Sequence, residues 1–130
     1  MGETVTALSV AASGMEAQSM RLRYISENVA NADTPGYHRK TAAFEAALDG
    51  GRDTGRVILG PVELDPTEPG RIYDPGNPLA GADGYTQGSN VDMVVEIADA
   101  REAQRSYEAN LKLFDQARQM SQSLLELLRR

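Results

Sequence analysis

The stretch SENVANADTPGY, residues 26–37, marks the point at which a helical sequence pattern stops. Pro35 disfavours helical backbone at Thr34, and Gly36 allows the sharp turn that follows. All six prolines and ten of the twelve glycines lie between Thr34 and Asn90. Outside that window the apolar residues have helical spacing. The pattern therefore predicts a mainly α protein whose long N- and C-terminal helices pair as a coiled-coil-like domain, with a small loop-rich, β-containing insert.

The boundaries of this division follow from the same residue counts. Residues 1–34 and 91–130 together form the predicted helical domain, and residues 35–90 form the Pro/Gly-rich insert with short strands. Strand-like pieces occur at residues 57–59, 62–65 and 71–73, so we expect a small hairpin sheet with extended loops. The first piece is an apolar run that would suit a buried strand. Partial disorder of the insert in the free subunit is the alternative.

The first helix is predicted from about Glu3 to Asn31, because an apolar residue recurs at every seventh position. Gly14 lies inside this helix, where glycine costs about 1 kcal/mol relative to alanine. Either the close approach of another helix compensates for that cost, or nothing does. The predicted packing residues of this helix are Leu8, Met15, Leu22, Ile25 and Val29.

The second helix is predicted after Asn90, a candidate N-cap, and it ends at Arg129 and Arg130, whose charges complement the helix dipole. A helix of this length outruns any partner within the chain, so we expect it to contact other subunits. An ordinary antiparallel hairpin core is the alternative. Asn110 either fixes register within a buried seam or is a solvated surface residue. The predicted packing residues are Tyr107, Asn110, Phe114, Met120 and Leu124.

Composition excludes several classes of protein. Leu, Ile, Val and Phe together number 26 of 130 residues, and 17 alanines add little core volume, so we expect a thin core. The net charge of -6 disfavours nucleic acid as a partner. The sequence has no cysteine, no apolar stretch long enough to cross a bilayer and no pattern typical of a cleaved signal peptide.

No catalytic, cofactor or metal site is predicted. His38 is the one histidine, and neither an orienting carboxylate nor a nucleophile is indicated beside it, so we expect an exposed loop residue. The acidic and amide residues of the segment 74–83 do not have the spacing of a calcium-binding loop. We therefore expect a protein that is not an enzyme and that binds no cofactor.

Three motifs carry a family resemblance. The string NVANADTPGY, residues 28–37, closely resembles the N-terminal signature of bacterial flagellar rod, hook and hook-associated proteins. NVDMVVE, residues 90–96, and RSYEAN, residues 105–110, resemble the C-terminal signature of the same family. YDPGNP, residues 73–78, resembles a segment of its short proximal-rod members. The motif residues that we carry over are Asn28, Asn31, Thr34, Gly36, Tyr37, Asn90, Asp92, Arg105, Tyr107 and Asn110.

The resemblance implies a structural subunit of the flagellar basal body, exported unfolded through the flagellar type III apparatus without a cleaved signal peptide. It would assemble in the periplasm into the rod that transmits torque. The implied partners are other rod proteins, copies of itself, the export apparatus and the export-side adaptor at the rod base. In the family the terminal helices form the inner part of the tube. The alternatives are a companion short rod protein of the same family and an acidic helical export adaptor or chaperone.

Overall fold

The structure is a computed structural model that describes residues 2–129, and Met1 and Arg130 lie outside the described residues. Helix α1 spans Gly2–Ala30 and helix α2 spans Met93–Leu128, and the two pack along each other. Short strands lie between them: β1 (Lys40–Thr41), β2 (Phe44–Asp49), β3 (Arg52–Leu59), β4 (Glu63–Leu64), β5 (Arg71–Tyr73) and β6 (Tyr85–Gln87). The predicted fold class, two paired terminal helices with a β-containing insert, is confirmed.

Two contacts define the register of the antiparallel helices. Asn28 meets Glu96 near one end of the pair, and Gly14 meets Asn110 near its middle. The fourteen residues from Asn28 back to Gly14 on α1 thus lie alongside the fourteen residues from Glu96 forward to Asn110 on α2. The same register places Gly2 level with Gln122. The last turn and a half of α2 therefore extends past the start of α1.

The core between the helices is thin and consists mostly of alanine. Its buried hydrophobic residues are Ala11, Ala17, Ile25, Ala103 and Ala117. Small side chains let the helix backbones approach closely, and Gly14 takes part in that approach. A Cβ atom at Gly14 would lie 2.7 Å from Asn110 Nδ2, well inside van der Waals contact. The close approach of α2 therefore compensates for the helix-propensity cost of the glycine at position 14.

The sequence pattern predicted one small hairpin sheet for the insert, and that prediction is wrong. The insert forms three separate antiparallel two-stranded pairs, β1 with β4, β2 with β3, and β5 with β6. Pro61, Pro66 and Pro69 lie between the strands. Proline lacks a backbone N–H and cannot extend a ladder of hydrogen bonds, so the strands stay in short pairs. The β2–β3 pair lies beside α1, which packs against β3.

Two local predictions need correction. The N-cap of α2 is Asp92, whose carboxylate accepts from the Val94 N–H at 3.0 Å, and not Asn90. The apolar run at residues 57–59 is not buried as a unit, because a two-stranded pair leaves Ile58 exposed. At the other end of α2, Arg129 is the C-cap, and the second cation expected there, Arg130, is outside the described residues.

Candidate functional site: a buried polar junction

The side chain of Asn28 is closed to solvent where α1 ends and the insert begins. Its Oδ1 accepts hydrogen bonds from the Tyr37 hydroxyl and from the Lys40 backbone N–H, both at 2.8 Å. Its Nδ2 donates to the Lys40 carbonyl at 3.0 Å and to the Glu96 carboxylate at 3.3 Å. A primary amide has two donors and an acceptor with two lone pairs, so the bonding capacity of this side chain is filled. One residue thereby joins α1, β1 and α2.

Glu96 is fully buried on the first turns of α2 and is paired with Arg39. The Arg39 Nε atom donates to Glu96 Oε1 at 2.7 Å. The same guanidinium also reaches Asp99 at 3.4 Å and Asp65 at 3.6 Å. Burying a carboxylate is unfavourable unless it is paired and hydrogen-bonded, and Glu96 has both kinds of partner. Asn28, Tyr37, Arg39, Asn90 and Glu96 together constitute what we call the polar junction.

The environment of the junction shifts the pKa values of its members. Burial lowers the pKa of Arg39, but its hydrogen bond to Glu96 and the charges of Glu96, Asp99 and Asp65 outweigh that effect, so the pKa is raised overall. Burial is the main cause of the raised pKa of the Tyr37 hydroxyl. Tyr37 thus stays a neutral donor to Asn28, and Arg39 stays a cation opposite Glu96.

Asn90 connects the C-terminal end of the insert to its N-terminal end by hydrogen bonds. Its Oδ1 accepts from the Arg39 backbone N–H at 2.6 Å, and its Nδ2 donates to the carbonyls of Asp65 and Thr67, both at 3.0 Å. Its own backbone N–H donates to the Tyr37 carbonyl at 3.1 Å. These bonds hold the chain entering the insert against the chain leaving it. They also explain why the side chain of Asn90 does not cap α2.

His38 belongs to the same region and is not the exposed loop residue that the sequence predicted. Its ring is half-buried, and Nδ1 lies 2.7 Å from the Asp65 carbonyl oxygen. At that position the ring nitrogen donates to a carbonyl and supports the loop around Asp65. The Asp65 carbonyl is the acceptor for Nδ1, and the Asn90 amide nitrogen lies 3.3 Å from the same ring atom, surroundings that fit a structural role.

The exit from α1 is built from three further motif residues. Asn31 Nδ2 donates to the Glu27 carbonyl at 2.8 Å, and the same carbonyl accepts from the Asn31 backbone N–H at 3.1 Å, so both groups of Asn31 close the end of the helix. The Thr34 hydroxyl donates to Asn31 Oδ1 at 3.0 Å. Gly36 has a φ of 72°, a conformation that side-chain-bearing residues resist, and its N–H donates to the Gly88 carbonyl at 3.0 Å. The predicted motif is therefore a helix exit and a junction at once.

The remaining motif residues lie apart from the junction. Asp92 caps α2, and Arg105 and Tyr107 lie farther along that helix with exposed side chains. Asn110 is half-buried against Gly14, and its Nδ2 donates to the Ser106 carbonyl at 2.9 Å. Asn110 therefore sits in the contact between the two helices of one chain.

The predicted packing residues differ in their exposure. Ile25 is buried within the chain. Half-buried side chains occur at Leu8, Met15, Leu22, Asn110 and Phe114. Exposed side chains occur at Val29, Tyr107, Met120 and Leu124. The contact of these residues with other subunits stays a prediction. The exposed side chains leave surface available for that contact.

The functional residues that sequence reasoning missed are charged. Arg39, Lys40 and Glu96 are not among the packing or motif residues that were predicted from the sequence. Lys40 pairs with Glu27 at 2.7 Å beside the junction. One feature of the sequence does indicate Glu96, since it is a single carboxylate inside the apolar run 93–97. An acid in such a run is either exposed or paired inside.

Neither a metal site nor a membrane span is found in the part of the chain that the structure describes. Residues 2–129 hold no group of three or more His, Cys, Asp or Glu side chains placed to bind a metal ion. None of the described helices is both long and apolar enough to cross a membrane.

What the junction can do chemically is to fix the angle between the helix pair and the insert.

Two family models match the chain. The model described as flagella basal body rod protein matches residues 8–38, and the model described as flagellar basal body rod FlgEFG protein C-terminal matches residues 82–127. The first match includes Asn28, Tyr37 and the start of the junction, and the second includes Asn90 and Glu96. The two matched regions therefore meet in space at the polar junction.

Full-length relatives give the same result. The chain is 44% identical over 130 residues to the flagellar basal-body rod protein FlgC of Agrobacterium fabrum, covering 95% of this chain and 94% of the relative. It is 36% identical over 124 residues to FlgC of Salmonella typhimurium, with coverage of 91% and 92%. It is 35% identical over 133 residues to FlgC of Aquifex aeolicus, with coverage of 97% and 98%.

Proposed function

This chain belongs to the FlgC family of flagellar basal-body rod proteins, and from that membership we propose how its helices and insert serve in the rod. The chain is a structural subunit of the rod in the flagellar basal body and not an enzyme. We place it in the proximal part of the rod. The observation that carries the proposal is the junction, because its hydrogen bonds join the two family-matched segments.

The helix pair is proposed as the part that contacts neighbouring subunits. Helix α2 has 36 residues, and its buried residues are Glu96, Ala103 and Ala117. A two-helix unit covers one side of each helix, so the other sides remain available for other chains. Helices packed side by side resist twisting because close-packed interiors deform little. A torque-transmitting shaft requires that property.

The insert is proposed to lie outside the helical layer as a separate unit of residues 35–90. Its three strand pairs lie between the helices in sequence, and only β1 and β3 pack appreciably on α1. The junction holds the entry and exit of this unit together. A fixed angle at this point lets the insert meet the same neighbour in every copy.

The route to the rod and the finer partners form part of the proposal. We propose export through the flagellar type III apparatus without a cleaved signal peptide, followed by assembly in the periplasm. Other rod proteins, copies of this chain and the export-side adaptor at the rod base are the proposed neighbours. A free-standing acidic adaptor or chaperone is not supported, because the chain belongs to a family of structural rod subunits.

Purified hook–basal bodies test the proposal. We expect the chain to be present in them, and a deletion strain to be non-motile and to lack a complete rod. Phe114→Asp should abolish incorporation, because it places a charge in a half-buried position of the helix contact. Gln116→Asp is the matched control, since Gln116 is exposed on the same helix. Absence of the wild-type chain from basal bodies would refute the proposed function.

A further inference from the structure

The β2–β3 hairpin lies with one edge against α1. Strand β3 packs along the helix, and among the described residues β2 pairs with β3 alone. Ala46 lies opposite Val57 in the register of the pair. The Gly60 N–H donates to the Ala43 carbonyl at 2.7 Å, and residue pairs that exchange such bonds alternate along an antiparallel ladder with pairs that do not. By that alternation the N–H groups of Ala46 and Val57 point away from each other, out of the two edges of the hairpin.

Ser13 of α1 meets the edge that Val57 presents. The Ser13 hydroxyl accepts from the Val57 N–H at 3.1 Å, and it donates to the Val10 carbonyl at 2.7 Å. A bond from a helical serine to a carbonyl of its own helix is common. The bond from Val57 is additional, because it comes from a strand 44 residues farther along the chain. Ser13 thus satisfies a backbone donor on the outer edge of β3.

A bulge in β3 makes a second contact with the same part of α1. Three residues of β3, 54–56, lie opposite Ala47 alone. Gly55 is in the middle of this bulge with a φ of 77°, and a Cβ atom there would lie 3.4 Å from Val10 Cγ2. Val10 and Ser13 are about one helical turn apart. One short stretch of α1 therefore contacts β3 at two points.

Packing between the hairpin and α1 is otherwise incomplete. A crevice of about 230 Å³ lies between them, with Met20 and Tyr24 on the helix side and Leu59 on the strand side. Ile58 is exposed. Pro61 follows β3 and cannot extend the ladder toward β4. Because a two-stranded pair is at best marginally stable by itself, the position of the hairpin depends on its few contacts with α1.

We propose that Ser13 is the residue that sets where the β2–β3 hairpin lies along α1. Its hydroxyl acts through the backbone of Val57, so Ser13 is a positioning residue. Loss of the hydroxyl leaves the Val57 donor without its acceptor, and the hairpin is then free to move away from α1. This inference rests on the proposed function, in which the insert meets the same neighbour in every copy of the subunit.

Amide hydrogen exchange of the isotope-labelled full chain, measured by NMR, tests the proposal. In the wild type we expect the Val57 amide to be protected and the Ala46 amide, directly opposite on the open edge, to exchange rapidly. Ser13→Ala should raise the exchange rate of Val57 about tenfold, because one hydrogen bond is lost. Ser13→Thr should restore that rate to within about threefold of wild type, since threonine keeps the hydroxyl and the crevice beside it has room for the added methyl group.

Two controls separate a local effect from a general loss of stability. Ser19→Ala should leave the Val57 rate unchanged, because Ser19 is exposed on the same helix. The amides of α2 should exchange at the same rate in Ser13→Ala as in the wild type. The proposal is overturned by equal Val57 rates in the wild type and Ser13→Ala, by a Val57 amide as fast as that of Ala46 in the wild type, or by no recovery in Ser13→Thr. Acceleration of Val57 and the α2 amides by one common factor would overturn it as well.

Incorporation into purified basal bodies connects the position of the hairpin to assembly. Ser13→Ala should be incorporated about threefold less than the wild type, because a mobile surface must be ordered when it binds. Ser13→Thr and Ser19→Ala should be incorporated as well as the wild type. Full incorporation of Ser13→Ala, with Val57 exchanging rapidly, would overturn the positioning role and leave the proposed function. Absence of the wild-type chain from basal bodies would instead remove the proposed function, and the exchange rates of the purified chain would stand.

Discussion

Asn28 and Glu96, 68 residues apart in sequence, form a hydrogen bond of 3.3 Å in a site closed to solvent. The bond connects the end of α1 to the start of α2 across the base of the insert. It also connects the two segments that the family models match. The rod-subunit account depends on this relationship, and two of the substitutions described below remove one of its partners.

Replacement of Glu96 by glutamine should destabilise the protein by about 3 kcal/mol, because it leaves the Arg39 charge without its closest partner. Urea unfolding followed by circular dichroism measures this loss. Glu108→Gln is the control, because Glu108 is exposed on the same helix, and we expect a change within about 0.5 kcal/mol. Equal stabilities of the two variants would mean that the Glu96–Arg39 pair does not hold the junction together.

The two asparagines at the end of α1 should behave differently. Asn28→Ala removes four contacts and leaves buried groups of Tyr37, Lys40 and Glu96 unsatisfied, so we expect a loss of about 2–4 kcal/mol and poor incorporation into basal bodies. Asn31→Ala removes a bond to the Glu27 carbonyl and one from Thr34 at a half-exposed site, so its cost should be about 1 kcal/mol or less. Quantitative blotting of basal bodies and urea titration compare them. Equal effects would contradict the structure.

The ion pair beside the junction predicts a pH dependence. The hydrogen bond to Lys40 lowers the pKa of Glu27 from 4.5, and the same bond raises the pKa of Lys40 from 10.5. The Glu27 contribution is therefore present above about pH 4.5 and lost as the pH falls below it. The Lys40 contribution is present below about pH 10.5 and lost as the pH rises above it. Glu27→Gln should flatten stability in both windows, as measured by thermal unfolding across pH. An unchanged profile would show that the pair contributes nothing.

The contact between Gly14 and Asn110 predicts a coupled pair of mutations. Gly14→Ala gains about 1 kcal/mol of helix propensity, but its Cβ would overlap the Asn110 side chain, so we expect net destabilisation. Adding Asn110→Ala removes the overlap and should recover about 1–3 kcal/mol relative to Gly14→Ala alone. A double-mutant cycle in urea measures this coupling. Additive effects would indicate that the helices are not in the register described.

The sequence predicted the elements better than it predicted the contacts between them. The positions of the prolines and the heptad spacing located both helices, because those features act on the local backbone. The three strand pairs were not predicted as separate, since which strand pairs with which depends on packing against α1. Residues 71–73 form a strand as predicted, but their partner, residues 85–87, was not predicted as a strand.

The polar junction could not be predicted from the local sequence pattern, for a similar reason. Asn28 and Asn31 are both asparagines, three residues apart at the end of α1, yet Asn28 lies in a buried network and Asn31 lies just after the last residue of the helix. What separates them is the position of Lys40 and Glu96, which the tertiary fold determines. Glu96 was not predicted as a site residue because its partner, Arg39, lies 57 residues away in sequence.

Cryo-electron microscopy of purified basal bodies tests the central claim most directly, since it shows the subunit in its assembled state. The account predicts density in the rod for an antiparallel helix pair with Asn28 level with Glu96, and the insert outside the helical layer. Density in which α1 and α2 of one chain are separated, or in which the insert faces the lumen, would contradict it.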